Sequence, residues 1–394
     1  MGYNKDMKDY DLLIVGAGIF GLTIAERVAN VLHKKVLLID KRDHIGGNSY
    51  SYIDEQTGIE CHKYGAHIFH TSHEDVWTYV NRFDSFTSYQ HRVYTVHNKE
   101  VFPLPINLGT INQFFRANFS PDEARELIKK QSEEAPKSPS NLKEQGISLI
   151  GKPLFEAFIM NYTAKQWQTP PENLDKSIIN RLPVRYNYNN RYFSDTYEGL
   201  PKNGYGKFFE RMADSAKDFV TIRLNTDYFE DKEIQELVKS GTPTVFTGPI
   251  DAFYGYRYGA LNWRSIQFEK QILPVDDFQG CPVMNYADMD APQTRIIEFK
   301  HFHPERSSGA YRNNSNKTVI FKEFSSTWRH GDEPYYPVKT PEDLDKLQKY
   351  AKLAMEDKNI LFGGRLGEYA YYDMDATFKS ALDTFQEKII PLFS

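Results

Sequence analysis

Only two cysteines occur in 394 residues, Cys61 and Cys281, and they stand far apart. They form neither a disulfide framework nor a C-x-x-C metal or redox motif. That scarcity excludes a stapled secreted scaffold and makes the cytoplasm the expected location. No stretch approaches the roughly 18 consecutive apolar residues that a membrane span requires. The opening MGYNKDMKDYD is polar and lacks the apolar core of a secretion signal. An excess of positive charge is missing too, since the formal net charge is -5. No chain-wide field exists to hold nucleic acid or anionic lipid, so neither partner is expected, and an anionic ligand must be met by local arginines. There is no internal repeat.

What is present is an ordinary folded composition, 40% apolar and 26% charged, in a chain too long for one typical domain. Aromatics reach 14%, with 26 Tyr and 27 Phe, and tyrosine combines a flat ring for stacking on sugars or bases with a hydrogen-bonding tip.

The segment Tyr10 to Asp40 reads as strand, tight turn, helix and strand: YDLLIVG, AGIFGLTIAERVANVL, KKVLLID. The first strand is a continuous apolar run, as a buried parallel strand requires, and Leu22, Ala25 and Val28 fall on one helix face. Gly16, Gly18 and Gly21 form G-x-G-x-x-G inside this βαβ unit. The first two allow a tight turn and close approach to a pyrophosphate, and the third allows helix–strand packing. Asp40, about twenty residues further on, ends the second strand where a carboxylate binds ribose hydroxyls. NAD and FAD share this fingerprint. The following KRDHIGGN places Gly46 and Gly47 in a second exposed loop, similar to the extension in FAD enzymes of the amine-oxidase and mutase group. The late GGRLGEYAYYDMD adds another glycine turn, and together they favour FAD.

Further along, Ser120, Pro121 and Glu123 spell a helix start, as do Thr340, Pro341 and Asp343. LFEAFIMNY reads as helix, TRIIEFKHF and KTVIFKEF as strands, and ILFGGRLGEYAYYDMDATFKSAL as strand, glycine turn and helix returning to the first sheet. Residues Ser132 to Ser140 are the best candidate for a flexible link. The fold class is α/β: a Rossmann-like FAD-binding domain with a helical subdomain and a mainly antiparallel sheet domain. The expected division gives 1–85 with about 200–250 and 340–394 to the FAD-binding domain. The helical subdomain takes 105–185 and includes a mobile lid loop. The sheet domain takes 86–104 with about 186–199 and 251–339.

Cys61, His62, His67 and His70 in CHKYGAHIFHT resemble a metal cluster, but in a strand or loop His67 and His70 point to opposite faces, so no metal is expected. Arg181, Arg264, Arg295 and Arg365 sit in aromatic or glycine-rich settings, and guanidinium forks suit a diphosphate.

With these segments read, the whole chain resembles the UDP-galactopyranose mutases. The resemblance rests on YGAHIFHT, NYTAKQW, RLPVRYNYNNRYFSD, YGALNWRS, TRIIEFKHF, GDEPYYPV and FGGRLGEYAYYDMD, in this order. It implies interconversion of UDP-galactopyranose and UDP-galactofuranose without net oxidation. Reduced FAD acts through N5 as nucleophile at the anomeric carbon, and UDP is the leaving group. It also implies an electron donor such as NAD(P)H and a homodimer.

Cofactor contacts are implied from Gly16, Gly18, Phe20 and Gly21, then from Asp40, Lys41, Gly47 and Asn48. His67 and Ile68 would lie beside the flavin, and Gly364, Arg365, Tyr372, Asp373 and Met374 would complete the site. Phe158 and Tyr162 would hold the uracil, Thr163 would also contact the substrate, and Trp167 would stand beside the sugar. Arg181 and Arg295 would clamp the diphosphate, aided by Tyr192, Tyr336 and Tyr371, with Arg264 and Asn285 nearby. Tyr335 is the weaker member of its pair. Arg181, Arg295 and His67 are the implied catalytic residues. The chain departs from the family pattern at Asn161 and Gln168, where glycine is usual, and at Gly206, where threonine is. Two alternatives share parts of the pattern: a mutase, exclusive or dual, for the 2-N-acetyl sugar, and an amine-oxidase-like flavin oxidoreductase.

Overall fold

A computed structural model describes residues 9–179, 184–307 and 316–394. Five short apolar strands build a wholly parallel sheet in the order Ile360–Phe362, Thr244–Phe246, Leu12–Val15, Val36–Ile39 and Val220–Arg223. Leu12, Leu13, Ile14 and all of Val36–Ile39 are fully buried, because helices cover both faces of such a sheet. The last strand to form in sequence, Ile360–Phe362, adds an edge rather than closing the sheet.

The helix Ile19–Arg27 springs straight from the glycine turn. Every residue from Ile19 to Glu26 is buried, not the single face that Leu22, Ala25 and Val28 suggested. The reason is tertiary: the helix Met374–Thr384 packs against it as well as the sheet. Glu26 is tolerated in this interior because Arg27, Asn30, Tyr79 and Arg82 all donate to its carboxylate.

A second sheet of seven strands runs Tyr336–Pro337, Trp263–Leu273, Thr318–Thr327, Arg295–Glu298, Val283–Tyr286, Val93–His97 and Glu100–Leu104. All its pairings are antiparallel except Val283–Tyr286 with Val93–His97. The run TRIIEFKHF does not stay extended to its end. It leaves the sheet after Glu298 and coils into a 3-10 turn, Phe299–Phe302. Residues three apart eclipse in that geometry, so Phe299 and Phe302 both reach the core, whereas a strand would send them to opposite faces.

Several helices start where their caps dictate. Ser120 and Glu123 form a reciprocal capping box ahead of Pro121–Ser132, and Asn107 with Thr110 does the same ahead of Leu108–Phe115. Thr340 and Asp343 cap Pro341–Glu356 in the same way. The LFEAFIMNY helix runs Lys152–Phe155, widens into a π turn at Glu156–Met160 and continues as Asn161–Trp167. It ends at Gln168, held in the left-handed region at φ 51°, which explains why glycine suits that position.

Candidate active site

A cavity of about 1340 Å³ opens at the carboxyl ends of the parallel strands, where Val15, Asp40 and Phe246 line it. It extends to the mixed sheet at Val93, Thr95, Asn285 and Arg295, and to the helix bearing Phe158 and Tyr162. That volume exceeds the usual range for one small ligand, roughly 300–1,000 Å³, and leaves space for a cofactor and a substrate together.

At one end two glycine loops meet. A side chain on Gly16 would place its first carbon 1.9 Å from the Thr247 hydroxyl oxygen, and one on Gly21 would lie 1.9 Å from the Gly16 carbonyl. Gly46 N–H donates to the Ala17 carbonyl at 2.8 Å, bringing Gly47 against Gly18. Backbone amides at the helix start are thereby exposed to the cavity, as phosphate binding requires. Asp40 accepts from Ala17 N–H at 2.7 Å and Arg42 N–H at 2.9 Å, which fixes its carboxylate at the cavity wall. Arg42 in turn donates to Asn48 at 2.8 Å and to Glu333, from the GDEPYYPV segment, at 2.7 Å.

At the other end the sheet itself aligns the polar groups. Thr95 is the register partner of Asn285, Asn285 of Arg295, and Arg295 of Glu323. Directly paired residues share a face of a sheet, so these four form one row across four strands. Burial opposes the charge on Arg295, but Glu323 outweighs it and holds the guanidinium firmly protonated. Arg295 also donates to the Tyr162 hydroxyl at 2.6 Å. The Asn285 side-chain oxygen is buried without a hydrogen-bond partner among the described residues.

Tyr336 and Tyr371 stack at 5.6 Å on the cavity wall, and Tyr192 lies edge-on to His91. Arg365, Tyr372, Asp373 and Met374 join the same wall, as do Gly364 and Phe20. Phe158, Thr163 and Trp167 face in from the helix, and Lys41, Asn48, His67 and Ile68 from the end with the glycine loops.

The four residues that resembled a metal cluster go separate ways. Cys61 is buried against the Ile59 carbonyl, and His62 accepts the His67 backbone N–H at 3.1 Å. His67 bonds the Gly65 carbonyl at 2.8 Å and His70 bonds Asp195 at 2.8 Å. Burial pushes His62 down to about 3 and His67 to about 4, so both rings are neutral near pH 7.

Of the residues expected at the substrate, Arg264 does not line the cavity. It occupies the same face of the mixed sheet, but the helix Asn161–Trp167 covers it. Its guanidinium donates to the Gln166 carbonyl, Thr327 and Ser325. It is a structural anchor for that helix. Tyr335 is likewise buried behind Tyr336. Arg181 lies outside the described residues. Sequence reading missed Arg42, His91, Gln166 and Glu333, all of which line the cavity. Arg42 follows the strand-end Asp40 closely enough to have been found. Nothing local marks His91.

Residues 157–371 match the family model for UDP-galactopyranose mutase, and residues 14–83 match that for an NAD(P)-binding Rossmann-like domain. The chain is 44% identical over 381 residues to a probable UDP-galactopyranose mutase of Klebsiella pneumoniae, covering 97% of this chain and 95% of that one. It is 39% identical over 378 residues to a dTDP-fucopyranose mutase of Escherichia coli, covering 95% and 97%. A crystal structure of reduced UDP-galactopyranose mutase shares the fold at a TM-score of 0.72 and 16% identity, over 97% and 94% of the two chains.

Proposed function

The chain belongs to the UDP-galactopyranose mutase family, and from that premise we propose that it interconverts UDP-galactopyranose and UDP-galactofuranose by ring contraction without net oxidation. The observation that carries the reading is the row Thr95–Asn285–Arg295, which opens into the same cavity as the paired glycine loops, with Glu323 paired to Arg295 behind it.

FAD fits the residues present. The contact of Gly18 with Gly47 leaves a cradle that side chains would fill, and the exposed helix start suits its pyrophosphate. Asp40, Lys41 and Asn48 would hold the adenosine side, with Gly364, Arg365 and Met374 along the rest. Reduced FAD, when bound, supplies N5 as the nucleophile at the anomeric carbon. The chain's own task is to grip UDP as its bond to the sugar breaks and to retain it while the sugar opens and recloses. Arg295 opposes the charge developing on the diphosphate, with Tyr162, Tyr192, Tyr336 and Tyr371 as further hydroxyl contacts. Arg181, which lies outside the described residues, is assigned the same role. Closure of the Trp167–Arg181 segment would exclude water. The orphaned Asn285 oxygen is suited to accept a sugar hydroxyl.

A second reading concerns the substrate alone. The similarity to the dTDP-fucopyranose mutase extends over nearly the whole chain, so a deoxythymidine-linked 6-deoxy sugar is a competing substrate, as is the 2-N-acetyl sugar. The chemistry would be unchanged. NAD(P)H is proposed as electron donor and a homodimer as the assembly, testable by flavin bleaching and light scattering. Among the described residues no helix is long and apolar enough to cross a membrane.

The test incubates the FAD-loaded, chemically reduced protein with UDP-galactofuranose, its N-acetyl analogue and dTDP-fucofuranose, and separates products by chromatography. Conversion of the first in the reduced form only is expected. No conversion of any overturns the proposal, and conversion of only another replaces the substrate.

A further inference from the structure

Lys165 stands in the NYTAKQW segment yet does not line the cavity, and it is only 7% exposed. A buried ammonium needs compensation, ordinarily from a carboxylate. None lies within ion-pair distance of it among the described residues. Instead its Nζ faces four backbone carbonyls, those of Tyr286 and Asp288 at 2.7 Å, Ala291 at 2.9 Å and Gln293 at 3.2 Å. Three protons are thus shared among four acceptors, a cage that would suit a free monovalent cation. Burial lowers the ammonium to about 8, while Asp288 and Asp290 act the other way.

All four carbonyls belong to the turn joining Val283–Tyr286 to Arg295–Glu298 or to its border. Those strands carry Asn285 and Arg295. The helix Asn161–Trp167 that carries Lys165 also presents Tyr162, Thr163, Gln166 and Trp167 to the cavity. A second attachment lies one residue on, where the Gln166 carbonyl accepts from Arg264 and Ser325. Two anchors on adjacent residues leave the helix little freedom to slide along the sheet. The 2.6 Å bond between Arg295 and Tyr162 spans the two elements that the cage joins.

We propose that Lys165 is a positioning residue: its ammonium, held in the carbonyl cage, sets the spacing between the Tyr162 helix and the Asn285–Arg295 strands. The proposal rests on the reading of this cavity as the nucleotide-sugar site. It assigns Lys165 no contact with substrate.

The test compares Lys165→Ala and Lys165→Met with the wild type, each FAD-loaded and reduced. It measures kcat and KM for UDP-galactofuranose, flavin content and UDP affinity by tryptophan quenching. Both variants are expected to lose on the order of 100-fold in kcat/KM, the scale of a misplaced site, with flavin content unchanged. Millimolar methylammonium is expected to restore turnover and UDP affinity in Lys165→Ala, where it can enter the emptied cage. It should do nothing for Lys165→Met, whose side chain fills the space. Tetramethylammonium, which has no N–H, should restore neither. Wild-type kcat/KM in both variants, or no recovery of Lys165→Ala with methylammonium, overturns the proposal. Should Lys165→Ala not fold, Lys165→Gln keeps two N–H donors and is expected to outperform Lys165→Met; equal losses overturn it. A wild type that fails to convert the sugar counts against the functional reading alone, and the UDP affinities still test the cage.

Discussion

The Arg295 guanidinium donates to the Tyr162 hydroxyl at 2.6 Å, joining two residues 133 positions apart. Burial raises Tyr162 to about 12, with Arg295 pulling the other way, so the phenol keeps its proton. Tyr162 therefore accepts from Arg295 and retains a proton to donate elsewhere in the cavity.

Arg295→Lys keeps a positive charge but loses the planar fork that bonds Tyr162 and, on the proposed function, would grip a diphosphate. On the proposed function it should lower kcat/KM on the order of 100-fold, with flavin content unchanged. Steady-state assays with a flavin absorbance spectrum check this. A loss below threefold would show that Arg295 does not act on the leaving group.

The Arg42–Glu333 pair closes the cofactor end, joining residues 291 apart. Both side chains are partly buried, 15% and 34% exposed, so the pair should contribute at the upper end of the roughly 0.2–1 kcal/mol typical of exposed pairs. Glu333→Gln is expected to speed FAD release about fivefold. The wild-type rate should rise with salt more steeply than that of the variant. Flavin fluorescence after dilution reads both, and identical salt slopes would rule the clasp out.

On the proposed function Gly21→Ala should abolish FAD binding, because the added carbon would stand 1.9 Å from the Gly16 carbonyl and force the helix away from the glycine turn. Gly280 has a positive φ, 69°, but nothing lies within 4 Å of the added carbon. Gly280→Ala should cost roughly 1 kcal/mol in backbone strain and leave flavin binding alone. Flavin-to-protein absorbance ratios and denaturant midpoints separate the two outcomes.

His62 and His91 are buried, and burial lowers each to about 3. In the unfolded chain each takes a proton below about 6.5, so the unfolded state then binds more protons than the folded one. Their full stabilising effect is present above pH 6.5 and is lost as pH falls toward 3. The loss should be roughly 1.4 kcal/mol per pH unit for each. Urea midpoints taken between pH 7 and pH 5 should fall; a flat profile would contradict neutral burial of both rings.

Local physics made part of this molecule legible from sequence. The capping boxes at Ser120 and Thr340 are closed within four residues, and the structure starts helices at both. The βαβ unit is equally local, since its strands are continuous apolar runs and its turn is written in glycine. TRIIEFKHF was legible only up to Glu298, because β-like composition carried no sign that Phe299 and Phe302 would share one core pocket.

Sequence alone thus determined the glycine turn, the helix starts and the set of aromatic and basic side chains available to a site. Tertiary structure decided which of them meet. Arg264 and Arg295 are both strand arginines on one face of the same sheet, and nothing in their neighbours separates them. The helix that Lys165 and Arg264 pin down lies over one and leaves the other open to the cavity. Strand register and helix placement are long-range outcomes of burial and pairing. Residues far apart in the chain set them jointly, and no short segment contains them.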